Sequence, residues 1–238
     1  MKKNLFAIAG LITLFCLYSF TSPKGEISQV EDFTKVKLSI SAHVILTQGN
    51  SCDFEIKAPA EVLEEIVAEV EKGTLVIKHK SKTSWKKIKK LIPKEGIFIY
   101  VTMEDVEGLG IAGSGDIVSK ELIKADELGL KISGSGDIVL KQLKAGEVAV
   151  GINGSGDVKV GGGGASSMDI SIKGSGDVDV SSFNVEKVNV RIAGSGDCRL
   201  GETSYLKVFV AGSGDISYKG NPKIEKKIAG SGNIKKVK

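Results

Sequence analysis

The chain has 238 residues, with 33 Lys and Arg against 29 Asp and Glu, two His and three Cys. A net charge of +4 over that length gives no reason to expect a nucleic-acid surface. No Cys and His residues stand at the spacing of a zinc site, and both histidines, His43 and His79, fall at alternating strand positions where a solvent-facing or satisfied imidazole is the ordinary outcome.

At the amino terminus, Lys2 and Lys3 precede an apolar run from Leu5 to Phe20, followed by small and polar residues around Ser19, Thr21 and Ser22. These are a charged n-region, an h-region and a cleavage site. The run is short for a membrane span of about 20 residues, so residues 1–22 read as an export signal, with an uncleaved anchor as the alternative. Cys16 lacks the small residues that precede a lipidated cysteine and leaves with the signal. Export implies the periplasm, the cell surface or secretion. Residues 23–238 then form one domain with a sizeable core and 31 basic against 29 acidic side chains. A Cys52–Cys198 disulfide is permitted in an oxidising compartment. Cys198, however, fills a slot otherwise held by Ile or Val and reads as a small core hydrophobe.

Phe33, Val36, Leu38 and Ile40, then Val44 and Leu46, then Phe54 and Ile56 alternate as strands with one buried face, and residues 48–51 make a turn between two of them. Residues 59–72 read as a helix: Val62, Leu63, Ile66, Val67 and Val70 follow its spacing, Pro59 suits the start and Gly73 the stop. Such a helix would cover an exposed sheet edge. Leu75 and Ile77, then Ile97, Ile99 and Val101, resume the strand pattern. Between them, residues 78–94 hold eight Lys, no acidic residue and the only Trp, Trp85. The plain reading is a solvated loop with Trp85 folded back on the body. The functional reading is contact with an acidic glycan, lipopolysaccharide or an anionic membrane surface through Lys86, Lys87, Lys89 and Lys90, with Trp85 as an aromatic anchor.

From residue 107 onward one unit recurs. Gly-Ser-Gly-Asp begins at Gly113, Gly134, Gly154, Gly174, Gly194 and Gly212, and a seventh copy at Gly230 ends in Asn233, with spacings of 21, 20, 20, 20, 18 and 18 residues. Two positions before each motif stand Ile111, Ile132, Ile152, Ile172, Ile192, Val210 and Ile228; directly after it stand Ile117, Ile138, Val158, Val178, Cys198, Ile216 and Ile234. Each unit is therefore a strand, a four-residue corner, a shorter strand and a variable return. Such units cannot bury their apolar face alone, so they stack in parallel. The expected fold is all-β, a single-stranded parallel β-solenoid, right-handed by the crossover preference, with a short helix in its first half.

Asp116, Asp137, Asp157, Asp177, Asp197, Asp215 and Asn233 then line one corner column. Carboxylates stacked at coil spacing repel by about 1 kcal/mol per neighbour even in water. Either a cation lies between them or each accepts hydrogen bonds from corner backbone N–H or Ser hydroxyl groups. The second is favoured, because one Asp per coil offers few oxygens to calcium and an amide at Asn233 keeps the bond while ligating poorly. The column reads as structural, with no cofactor and no catalytic residue assigned.

The Gly-Ser-Gly-Asp-Ile/Val corners resemble the putative auto-transporter adhesin, head GIN domain family. So does the upstream order of 33–36, 44–49, 63–70 and 73–77, and the likeness covers roughly residues 30–238. It implies a right-handed parallel β-solenoid on exported proteins, chiefly of Bacteroidetes-type bacteria, and a surface role in adhesion; no catalytic residues come with it. The expected function is an exported, non-catalytic adhesin or a cell-envelope binding or structural protein. Its partners would be an envelope or extracellular glycan or another envelope protein, and homo-oligomers are open to it. The alternative is a carbohydrate-active β-helix enzyme, a polysaccharide lyase or hydrolase, which would need a local, non-repeating pair of catalytic groups.

Overall fold

Among the described residues, seventeen strands and the short helix at 60–63 follow from the alternation of apolar and polar residues, and residues 83, 86 and 88 are helical as well. The computed structural model describes residues 31–238 apart from 82, 84, 85 and 87, so the segment 1–22, expected to be an export signal, and the side chains of Trp85 and Lys87 lie outside the described residues. The first elements are β1 (Lys35–Leu38), β2 (His43–Gln48), β3 (Asp53–Lys57), α1 (Ala60–Leu63), β4 (Ile66–Glu71), β5 (Thr74–His79) and β6 (Phe98–Met103). The periodic region supplies β7 (Gly108–Gly113), β8 (Asp116–Gly134), β9 (Ile138–Gly154), β10 (Val158–Val160), β11 (Gly163–Gly174), β12 (Val178–Val180) and β13 (Phe183–Gly194). It ends with β14 (Cys198–Gly212), β15 (Ile216–Lys219), β16 (Lys223–Gly230) and β17 (Ile234–Lys236).

The periodic strands pair in parallel with equivalent positions aligned. Ile132 pairs Ile152, Ile152 pairs Ile172 and Ile172 pairs Ile192, and the motif glycines 134, 154, 174 and 194 run in the same register. The result is the parallel β-solenoid expected from the repeat. One wall holds the strand before each corner, the other the strand after it. A short third wall forms where 122–125 pairs 142–145 and the line continues through 163–165 and 183–185. Ten strands at about 4.8 Å make each long wall roughly 45 Å tall. Inward residues form continuous aliphatic columns, such as Leu130, Val150, Ile170, Val190 and Val208, all at most 3% exposed. On the third wall Phe183 is 1% exposed and lies between Gly163 and Gly201 of adjacent coils, and a Cβ on Gly201 would lie 2.4 Å from the Phe183 carbonyl oxygen.

Chain order and spatial order part company at the amino-terminal end. β1 lies between β5 and β7, and β2 lies between β6 and β8, all parallel. The coil made first in sequence is therefore second in the stack, and the coil containing β5 and β6 is laid on top of it later. β4 pairs antiparallel with β5 and β3 antiparallel with β6, so these two strands close that end.

The helix expected over 59–72 is largely a strand. Only Ala60–Leu63 is helical, with Val62 fully buried, and Ile66–Glu71 is β4. The β4–β5 hairpin turns at Lys72 and Gly73, both at positive φ (51° and 71°). β-branched Ile66, Val67 and Val70 gain more from pairing with β5 than helical spacing offers them. The edge is thus covered by an antiparallel hairpin, with the helical turn bridging the two walls.

The permitted disulfide does not form: Cys52 and Cys198 are both free. Cys52 stands at the β3 end and Cys198 in β14, about 30 Å away at the ~4.8 Å strand spacing, far beyond the ~7 Å Cα limit of a disulfide. Burial pushes the Cys198 thiol pKa well up.

Candidate functional site

The motif corners are built by close approach. Gly134 and Gly154 have φ of 141° and 140°, a region L side chains avoid. A Cβ on Gly136 would lie 1.9 Å from the Gly115 carbonyl oxygen, and one on Gly156 2.0 Å from that of Gly136. Without side chains, the corners stack at the spacing of the walls, and the Ser155 N–H donates to the Gly134 carbonyl at 2.9 Å.

Each aspartate then supplies the acceptor that the bend removes. The Asp157 N–H donates to Asp137 Oδ1 at 2.9 Å, Asp177 N–H to Asp157 Oδ1 at 2.8 Å, Asp197 N–H to Asp177 Oδ1 at 2.8 Å, and Asp215 N–H to Asp197 Oδ1 at 2.9 Å. The ladder starts with Asp137 on Asp116 (3.2 Å) and ends with Asn233 on Asp215 (2.9 Å). In return, the Asp157 carbonyl accepts from Ile138 and the Asp177 carbonyl from Val158, each at 2.9 Å. The bonding partner is the backbone of the following coil, so the side chain acts as an extra rung between coils. These charge-assisted bonds offset the repulsion down the column. Among the described residues the outer oxygens have side-chain partners at two places: Asp177 Oδ2 faces Arg199 at 3.4 Å, and Asp116 Oδ2 faces the His43 imidazole Nδ1 at 3.0 Å. Among the described residues no three His, Cys, Asp or Glu side chains converge to hold a metal ion.

His43 marks where the period fails. Ser39 N–H donates to the Ile77 carbonyl and His43 N–H to that of Ile97, both at 2.8 Å, and Asp116 N–H donates to Ala42 at 2.9 Å. Residues 80–96, 39–42 and 112–115 therefore lie in successive corners of one column. The lysine-rich segment is a corner of the solenoid, expanded from four residues to seventeen. It is also better anchored than a solvated loop. Ile88 is 1% exposed in the core, Ile92 packs against the core, and Leu91 and Ile92 N–H groups donate back to the Ile88 carbonyl. Lys86, Lys89 and Lys90 stand exposed on either side of Ile88, next to Leu91 at 49% exposure. Of the residues expected to meet an anionic surface, these three lysines are exposed, and Trp85 and Lys87 lie outside the described residues. The segment stands two coil spacings from Asp116, about 10 Å, so at a Debye length of ~8–10 Å salt damps much of the acidic column's pull on its lysines.

Beside this corner, the outer face of the second wall carries a row not anticipated from the sequence. Tyr100, Ile45, Val118 and Val139 occupy one outward register across four adjacent strands. Tyr100 is 38% exposed, with Lys57 Nζ 4.5 Å from its ring centre, and Phe98 packs on His43 with ring centres 5.4 Å apart. The signal was present: the second residue after the motif is Val at 118 and 139, but Lys159, Asp179, Arg199 and Ser217 in later copies. At the other end of the molecule a shallow depression of about 300 Å³ lies around Phe209, whose ring has Lys227 Nζ at 6.0 Å.

This architecture recurs in solved structures. An adhesin from Bacteroides fragilis, itself described as putative, is 25% identical over 88% of this chain and 94% of its own, with a TM-score of 0.79. A protein from Parabacteroides distasonis described as a putative lipid binding protein is 25% identical over 89% of this chain and 95% of its own, with a TM-score of 0.71. A further putative adhesin, from Parabacteroides merdae, shares the fold at 21% identity and a TM-score of 0.67. Among curated proteins none matches the chain. Residues 32–222 match one family across the amino-terminal coils and nearly all the motif coils, and by that match the chain belongs to the putative auto-transporter adhesin, head GIN domain family.

Proposed function

We propose that this chain is an exported, non-catalytic adhesin-type solenoid that recognises an anionic envelope or extracellular glycan through the expanded corner at residues 80–96. The observation that carries this reading is the placement of the lysines. A column whose other corners each take four residues opens at one coil into a lysine-rich segment pinned by Ile88, so Lys86, Lys89 and Lys90 project from a rigid frame. A fixed array of cations loses less conformational entropy on binding a polyanion than the same lysines on a free loop would. Trp85 and Lys87 belong to the same segment by sequence and extend the proposed contact. Membership of an adhesin family and the likeness to adhesins support a surface role without chemistry. Against the polysaccharide-degrading alternative, the carboxylates of the corner column are engaged in the inter-coil ladder rather than set out as a catalytic pair.

A glycan array of uronic and sulfated polymers, run beside a depolymerase assay on the same preparations, tests the reading. Binding without chain cleavage is the expected result; cleavage of any bound polymer would replace the adhesin reading with the enzyme one. The Parabacteroides distasonis neighbour named for lipid binding makes anionic lipid vesicles the natural comparison surface.

A further inference from the structure

The two ends of the solenoid differ in charge and match in shape. At the amino-terminal end the outermost strands are β4 on the first wall and β3 on the second; at the carboxy-terminal end they are β16 and β17 on the same two walls. Among the described residues no strand pairs with the outer edge of any of the four. Each end also leaves its last row half-buried, with Phe54, Ile56 and Val70 at one end and Ile224, Ile228 and Ile234 at the other, where Lys226 takes the place that Val208 holds one coil inward. The equivalent residues one coil inward from the carboxy-terminal row, Leu206, Val210 and Ile216, are fully buried. Unpaired edges over an incompletely covered core are surfaces that another sheet can extend.

Charge selects the occupant. The outermost strands β3 and β4 carry Asp53, Glu55, Glu69 and Glu71 against Lys57, so the pairing edges themselves are acidic, although Lys78 of β5 bonds both Glu69 and Glu71, Lys72 stands in the β4–β5 turn and the lysine-rich corner lies at the rim of the same end. β16 and β17 carry Lys223, Lys226, Lys227, Lys235 and Lys236 against Glu225. Two carboxy-terminal ends brought together would oppose lysines with lysines, and two amino-terminal ends carboxylates with carboxylates. Unlike ends attract. The strand directions agree as well: β16 and β17 run with the stack, whereas β4 and β3 run against it. Translated along its own axis, a second copy presents antiparallel partners to both edges at once.

We propose that the two ends are a head-to-tail interface between copies of this chain, β16 and β17 of one copy pairing with β4 and β3 of the next. Such an interface is heterologous, and where the rotation between copies does not close a ring it builds an open string of solenoids. Its charges are solvent-exposed, so association weakens as salt rises.

The test is sedimentation of the full chain across protein concentration, at low salt and at about 0.5 M salt. The expected result is a mass that rises past the dimer with concentration and an association at least about tenfold weaker in high salt. Two charge-reversed variants, E69K with E71K and K226E with K227E, should each sediment as monomers with wild-type melting curves. Mixed in equal amounts they should associate again, because the reversal makes their ends complementary. K235E with K236E is a second carboxy-terminal variant should the first melt early. A wild-type chain that stays monomeric, variants that associate as well as wild type, or a folded mixture that stays monomeric would each overturn the proposal.

Discussion

Replacing Gly156 with alanine places one methyl group at the tightest kind of contact in the stack. The new Cβ would sit 2.0 Å from the Gly136 carbonyl oxygen, 2.9 Å from Ile132 Cγ2 and 3.1 Å from the Gly136 carbonyl carbon. An ordinary carbon–oxygen contact needs about 3.5 Å, so the two coils must separate locally by more than about 1 Å. Three hydrogen bonds tie them at that point: Ser155 N–H and Gly156 N–H to the Gly134 carbonyl (2.9 and 3.2 Å) and Asp157 N–H to Asp137 Oδ1 (2.9 Å). Losing them costs about 3 kcal/mol at roughly 1 kcal/mol each, and the overpacking adds about 1–3 kcal/mol. A total of about 4–6 kcal/mol is a large share of the ~5–15 kcal/mol that holds a domain folded. Gly113 is the internal control. Its φ of 138° is equally unfavourable, but a Cβ there meets nothing within 4 Å, so Gly113→Ala carries only the backbone strain of about 1–3 kcal/mol. Urea unfolding followed by circular dichroism compares the two. A Gly156→Ala variant as stable as Gly113→Ala would refute the close-approach account of the corner.

Asp157→Asn should unfold within about 0.5 kcal/mol of wild type, because an amide oxygen still accepts from Asp177 N–H and one charge leaves a repelling column. Asp157→Ala should be the less stable of the two by about 1 kcal/mol, and the reverse order in chemical denaturation would contradict the ladder. Phe183→Ala, which empties the space between Gly163 and Gly201, should cost about 3–5 kcal/mol in the same assay; a cost under about 1 kcal/mol would mean the third wall is not packed as described. Thiol labelling followed by peptide mapping should leave Cys198 unmodified in the native protein and modify it after unfolding, since burial both hides the thiol and raises its pKa.

The periodic half was legible because the repeat states its own geometry. Aligned copies put Ile132, Ile152, Ile172 and Ile192 in one register, and parallel stacking is the arrangement that keeps them there. The amino-terminal half was less so, for two physical reasons. Ile66, Val67 and Val70 satisfy helical spacing and strand propensity together, and the tertiary partner β5 decides between them. The insertion of β1 and β2 between later strands leaves no local trace, since a parallel strand pairs equally well with either neighbour. The lysine-rich segment stood out by composition, but its place in the corner column depends on the hydrogen bonds of Ser39 and His43 to strands far along the chain. The sequence predicts hydrogen bonds for the aspartate column, whereas their partner, the backbone N–H of the next coil, follows only from the stack.

The central claim is that the repeated motif builds the solenoid and the one expanded corner binds. Titrating a sulfated or uronic polysaccharide onto three folded proteins separates the two roles: wild type, a K86E, K89E and K90E variant, and a D157N and D177N variant. The account predicts at least about tenfold weaker binding in the lysine variant, with an unchanged melting temperature, and wild-type binding in the aspartate variant. Loss of binding in the aspartate variant, with the lysine variant unaffected, would contradict it.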